Sequence, residues 1–372
     1  MVRSQGARAA CARADGRGCA SRAAARYGIV ARGVARAGAG LRLAATLVGT
    51  VVGAGFVSGA ELVRFFPHEG FLPCLAVAAG VFALCFFALC RLGAAYGGWQ
   101  GVLRARFGRA AGAVRLFMLA CSFAVTAAML AGFDAVAADG FGGRLPLSLL
   151  LLPLLYALSR RGVKGLAALN LALVPCMLAF FASALPALAV IPLSAPADAF
   201  SALGGALLYA GMNAFLAAPV ACDAGAAGGG CGGCFAAAAV IGVCAAAVLA
   251  AVAREGANAL GAELPFLAAV GKTQALARVF SLVSVCGIVT TLFSSYYPLH
   301  AAAAKRARAV RFAVPAAAFA LSRWGMGGIV GAVYPWLGGA GLLFFAVLAA
   351  GEGARLVRAA REKGAPHAAG RP

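Results

Sequence analysis

Gly53, Gly55, Ser58, Gly59 and Glu61 fall within nine residues of one another inside an otherwise apolar run, Gly49-Thr-Val-Val-Gly-Ala-Gly-Phe-Val-Ser-Gly-Ala-Glu61. Lipid offers no partner to a free N–H or C=O, so a backbone leaves the helical ladder at mid-membrane only where protein or a wet cavity covers it. The three glycines supply φ freedom for such a departure. Ser58-x-x-Glu61 has the form of a capping box, the pattern that restarts a helix. The chemistry this predicts is binding: amides and carbonyls released from the ladder can grip a small solute or an ion. Arg42 to Val52 would be a first half-helix of 11 residues, roughly 16 Å long, and Ser58 to Phe66 a second of 9, roughly 14 Å. Each is about half of a ~30 Å hydrocarbon core. Gly49 with Gly53, and Gly55 with Gly59, also satisfy small-xxx-small spacing, and close helix packing is the competing account.

A second concentration of polar groups lies between residues 276 and 300, where Ser284, Gly287, Thr291 and Ser295 follow spacings of 3, 4 and 4 and so share a helix face. A stripe of hydroxyls supplies the hard oxygen ligands a sodium ion takes; the same groups could simply bond back to the i−4 carbonyl. Gly211-Met-Asn213 interrupts another apolar run, and Asn213 can act as an N-cap. Glu61 and Asp134 are the ionisable residues within apolar runs that are candidates for coupling. Glu61 also has a structural role open to it as a cap or as a partner of Arg64. Asp134 would reach the interface. The 12 cysteines are scattered mainly through apolar runs as small buried hydrophobes. Cys231-Gly-Gly-Cys234, with Cys222 nearby, has ligand spacing without two further ligands, and reads as a glycine-rich loop more than as a metal or redox site.

The elements that must position these residues follow from composition. Of 372 residues 63% are apolar, and the mean hydropathy is +0.93, which only a polytopic membrane protein explains. Ten spans are predicted: Arg42 to Phe66, Phe71 to Ala95, Ala113 to Ala138, Leu145 to Ser159, Gly165 to Ile191, Phe200 to Cys222, Gly233 to Val252, Leu276 to His300, Ala309 to Ser322 and Gly325 to Gly351. The fourth and ninth are short. A net charge of +21 does not indicate nucleic acid, because the cations sit between apolar runs. Of 32 Lys and Arg, 26 fall on one side of the ten-span topology, which places both termini in the cytoplasm of a cell (inner) membrane protein. Residues 1–40, rich in Arg, Ala and Gly, stand apart from the fold as a disordered tail, an organellar presequence or a start placed too early. Residues 41–352 form the membrane domain and 353–372 a cytoplasmic tail.

The proposed breaks fall in the first and sixth spans. Five spans separate them, so the second half enters from the opposite side. This is the arrangement of a 5+5 inverted repeat in which two discontinuous helices meet at the midplane around a substrate.

The same residues carry a family resemblance. The run Gly49 to Glu61 with Phe65-Phe66 resembles the opening signature of the YkvI family of bacterial membrane proteins. Met129-Leu-Ala-Gly132, Tyr209-Ala-Gly-Met-Asn213, Thr290-Thr291 and Tyr334-Pro335 agree with it. The resemblance covers roughly Leu41 to Ala350. It implies the all-α, LeuT-like fold of the amino acid, polyamine and organocation superfamily. By that resemblance Gly53, Ala54, Gly55, Phe56 and Ser58, with Met129, Tyr209, Met212 and Asn213, surround the substrate. The carbonyls of Gly49 and Val52 with the hydroxyls of Thr290 and Thr291 form a sodium site. Ala60, where the family has Gln, and Asp134, where a small residue is expected, are departures that bear on the solute. The expectation is a secondary transporter of an amino acid or similar small zwitterion, coupled to sodium first and protons second. It has the bilayer and the solute as partners, and no catalytic residue, enzymatic activity or cofactor beyond sodium. The alternative is a non-transporting receptor subunit of the same fold.

Overall fold

The computed structural model describes residues 37–141, 146–191, 194–262, 264–306 and 308–364. The predicted tail before residue 37 and the last residues of the C-terminal tail lie outside them. All regular structure among the described residues is helical.

The first apolar run is broken, as its glycines predict, but in two places. Helix α1 (Ala37–Val51) stops where Gly53 adopts extended backbone, with φ −98° and ψ −168°. Helix α2 (Ala54–Ser58) follows and ends at Gly59, whose φ of +81° is open to glycine at little cost. Helix α3 (Ala60–Phe65) completes the run. The predicted restart at Ser58 is therefore corrected. Ser58 closes α2 instead of opening a helix; its Oγ donates to the Gly55 carbonyl at 3.0 Å and accepts from the Ala60 amide at 3.3 Å. Glu61 makes no cap either; its side chain turns toward Gly55, and Oε1 accepts from the Tyr334 hydroxyl.

The chain continues through α4 (Phe71–Tyr96), α5 (Trp99–Phe107), α6 (Ala111–Phe141), α7 (Leu151–Ser159), α8 (Gly162–Ala182), α9 (Ala199–Ala226), α10 (Gly232–Glu255), the short α11 (Ala257–Leu260) and α12 (Pro265–Val270), α13 (Gln274–Ala303), α14 (Arg308–Ser322) and α15 (Met326–Gly364). Among the described residues seven helical stretches are long and apolar enough to cross a bilayer: Phe71–Tyr96, Trp99–Ala138, Gly162–Val190, Ala199–Ala226, Gly232–Glu255, Gln274–Ala303 and Met326–Glu352. The other three predicted spans coincide with shorter apolar helices at Ala37–Val51, Leu147–Ser159 and Ala309–Ser322. The first of these is short because the break at Gly53 ends it.

The second predicted discontinuity is absent. Helix α9 runs unbroken over 28 residues through Gly211, Met212 and Asn213. Asn213 turns its side chain back along its own helix, where Nδ2 donates to the Tyr209 carbonyl at 3.1 Å. Gly211 serves close packing. A Cβ at Gly341 on α15 would strike the Gly211 backbone, and one at Gly211 would come within 3.0 Å of Leu342. Two small residues thus let α9 and α15 cross at backbone distance. Helix α9 is central to the bundle, packing on α4, α15 and α3. The reading of helices 1 and 6 as both discontinuous holds for the first alone.

Candidate solute and ion site

At the break the Gly53 amide donates to Val51 at 2.9 Å, two residues back, and is lost to the Gly49 carbonyl four residues back. The next amide that bonds back along the chain is that of Val57, which reaches Gly53 at 2.9 Å, so the Val52 carbonyl also receives no backbone donor among the described residues. These are the two carbonyls expected to bind an ion. Both residues are buried.

Helix α13 faces the break closely. A Cβ added to Gly53 would come within 2.6 Å of Thr291 Oγ1, and one added to Gly287 would meet Val57 and the Gly53 carbonyl. Thr291 Oγ1 is enclosed and has no hydrogen-bond partner. Its neighbour Thr290 is differently disposed: its hydroxyl donates to the Gly287 carbonyl at 2.9 Å, the back-bonding that competes with ligation. Thr50 and Ser294 bridge the two elements with their hydroxyls 2.9 Å apart, and Thr126 on α6 donates to Ser295 at 3.1 Å. On the other side of α1, Asn170 of α8 lies against Gly49, whose Cβ would come within 2.5 Å of Asn170 Oδ1. Asn170 Nδ2 donates to the Thr46 carbonyl at 3.3 Å, while Oδ1 is buried without a partner. Two unpartnered oxygens, Thr291 Oγ1 and Asn170 Oδ1, thus flank the segment that carries two unbonded carbonyls. An all-oxygen, uncharged set of this kind suits a hard monovalent cation.

The remaining predicted residues are placed as follows. Ala54, Phe56 and Ser58 are buried in α2, with the Phe56 ring edge-on to Phe181 at 5.7 Å. Gly55 is covered by the Glu61 side chain. Tyr209 packs its ring on Phe65, Phe66 and Phe82 at 5.6, 5.4 and 6.0 Å. Met129 and Met212 are buried in the same core. Asn213 is spent on its own helix. Asp134 accepts from the Ser148 amide at 2.7 Å and hydroxyl at 2.8 Å and pairs with Arg323 at 3.0 Å. It clamps the end of α6 to the turn before α7 and to the α14–α15 corner. Cys231 lies 3.6 Å from Cys90, and no group of three metal-ligating side chains occurs among the described residues.

Two openings lie at the two ends of the broken run. One, of about 850 Å³, is lined by Arg64, Phe65, Phe66, Gly205 and Leu208. The other, of about 300 Å³, lies between α1, α8 and the end of α9, lined by Arg42, Thr46, Lys164 and Gly229. Sequence reasoning missed Asn170 and Asp223. Asp223 accepts from the Trp99 amide at 2.7 Å and the Tyr297 hydroxyl at 2.7 Å, tying α9 to α5 and α13. The signal for both was a polar side chain in an apolar run.

A broken first helix set against an unpartnered hydroxyl on a long neighbouring helix, inside an all-helical bundle with several helices long and apolar enough to cross a bilayer, marks a polytopic membrane protein. Solved structures agree. The chain is similar in fold to MHP1, a nucleobase-cation-symport-1 family transporter in a closed conformation with bromovinylhydantoin bound, with a TM-score of 0.56 at 14% identity over 80% of this chain and 74% of that one. It is also similar to the Eremococcus coleocola manganese transporter in complex with an aromatic bis-isothiourea substituted compound, with a TM-score of 0.52 at 14% identity over 82% and 75%. At that identity the likeness is one of fold. No protein-family model matches the chain. In sequence it is similar to the uncharacterized membrane protein YkvI of Bacillus subtilis (strain 168), 33% identical over 149 residues, and the match spans 38% of this chain and 43% of that protein.

Proposed function

We propose that the protein is a secondary transporter that carries an amino acid or similar small zwitterion across the cell membrane together with an ion, sodium first and protons second. The observation that carries this reading is the facing of the Val52–Gly53 break by Thr291, with the Gly49 and Val52 carbonyls unbonded and Thr291 Oγ1 unpartnered. In this account sodium sits between those carbonyls and Thr291, with Thr290 joining once its hydroxyl turns from Gly287. The solute lies along Gly53 to Phe56 and Ser58, under Tyr209, Met212 and Met129. Ion binding draws α1 and α13 together and biases outward- against inward-facing populations. Ten crossings with both termini in the cytoplasm are supported by the Lys and Arg bias and by the three shorter apolar helices.

A thermal-shift screen of the purified protein against amino acids, with and without sodium, tests this. The expected result is one chemical group of ligands that raises the unfolding temperature more in sodium than in potassium, since ligands that bind the native state stabilise it by mass action. Ligand shifts indifferent to sodium would count against sodium coupling; an absence of shifts from any amino acid would count against the solute class.

A further inference from the structure

Beside the break a second set of polar side chains comes from α3, α9 and α15. Glu61 folds its carboxyl over Gly55, where any side chain would strike it. Glu61 Oε1 accepts from the Tyr334 hydroxyl at 2.6 Å, and Oε2 takes no protein donor among the described residues. The Tyr209 ring packs on Phe65, one turn along α3 from Glu61, at 5.6 Å and on Phe66 at 5.4 Å. Tyr209 is 1% exposed, and its hydroxyl has no partner. No Lys, Arg or His pairs with Glu61 among the described residues, and Arg64, one turn along α3, is exposed in the opening above.

Glu61 is half-buried, and a carboxylate withdrawn from water within an apolar bundle is costly until a cation joins it. We propose that Glu61 and the Tyr209 hydroxyl form the subsite for the ammonium group of the transported solute. An ammonium brings three donors and no acceptor; Glu61 Oε2 and the Tyr209 oxygen are two free acceptors. The subsite adjoins Gly55, so a solute with its ammonium here lays its other end along the Gly53 break. The inference rests on the transporter reading and names its substrate class: a solute bearing a protonated amine.

The test uses the purified full chain in detergent, its unfolding temperature followed against methylammonium chloride, sodium chloride and potassium chloride at equal ionic strength. Methylammonium is expected to stabilise the wild type, to lose that effect in Glu61→Gln and to weaken in Tyr209→Phe, which keeps the ring packing. An amino acid is expected to act at concentrations at least tenfold lower than its 2-hydroxy-acid analogue, with that preference gone in Glu61→Gln. Equal methylammonium responses in wild type and Glu61→Gln overturn the subsite, as does no response in the wild type, or a Glu61-dependent response to sodium in place of methylammonium. Should Glu61→Gln elute as aggregate, an unchanged response in Tyr209→Phe overturns it instead. A Glu61-dependent methylammonium response in a protein that moves no solute into vesicles would sink the transport reading and leave the subsite standing.

Discussion

Replacing Thr291 with valine keeps the shape of the side chain and removes only Oγ1, the enclosed oxygen that has no partner. Two opposite effects follow. A buried hydroxyl without a hydrogen bond costs about 1–3 kcal/mol, so in sodium-free buffer Thr291→Val should be more stable than the wild type by about that amount. The ion response should move the other way. At a sodium concentration 100-fold above its dissociation constant, binding stabilises the native state by about 2.7 kcal/mol. Losing one oxygen ligand of a few weakens affinity by roughly tenfold, about 1.4 kcal/mol, which halves the stabilisation. The assay is thermal unfolding of wild type and variant in detergent, in sodium and in potassium at equal ionic strength. A variant that is more stable without sodium and less responsive to it fits an ion ligand held in waiting. A variant with the wild-type sodium shift would refute the role of Thr291, and one destabilised in potassium would show that Oγ1 has a partner in the native protein.

Gly55→Leu should abolish solute binding while the bundle still folds, because the added side chain displaces the Glu61 carboxyl; ligand-induced thermal shifts read this. Gly341→Leu should destabilise by about 1–3 kcal/mol or more by wedging α15 off the Gly211 backbone, seen as a lower unfolding temperature with or without ligand. Asp223→Ala should cost about 1.5–3 kcal/mol for the hydrogen bonds from the Trp99 amide and the Tyr297 hydroxyl. Asn213→Ala should change stability by less than about 1 kcal/mol, since its side chain only doubles a carbonyl already in the helical ladder, and should leave solute affinity within a few-fold of wild type.

The break in the first apolar run was legible because glycine placement at Gly53 and Gly59 constrains backbone more directly than any side chain does. The site of the restart was not. A capping box is a local pattern, and Ser58 and Glu61 were both claimed by other partners, Gly55 within the chain and Tyr334 from 273 residues away. Gly211 misled for a related reason: a glycine that frees a backbone and a glycine that lets a neighbour approach look alike until the neighbour, Gly341, is in place. Close packing accounts for Gly211, while at Gly53 the break and the close approach of Thr291 coincide. Asn170 and Asp223 were passed over because a lone polar residue in a span acquires meaning only from what faces it across the bundle. The hydroxyl stripe on α13 was readable as a face, but the division of labour between Thr290, bonded to Gly287, and Thr291, left free, depends on rotamers that spacing does not determine.

Uptake of labelled amino acids into vesicles containing the purified protein, driven by an inward sodium gradient, bears most directly on whether the break at Gly53 and the hydroxyl of Thr291 work as one coupled site. Accumulation that requires the gradient in the wild type and loses that requirement in Thr291→Val is the result expected. Accumulation equally dependent on the gradient in both proteins, or none for any amino acid in the wild type, would contradict it.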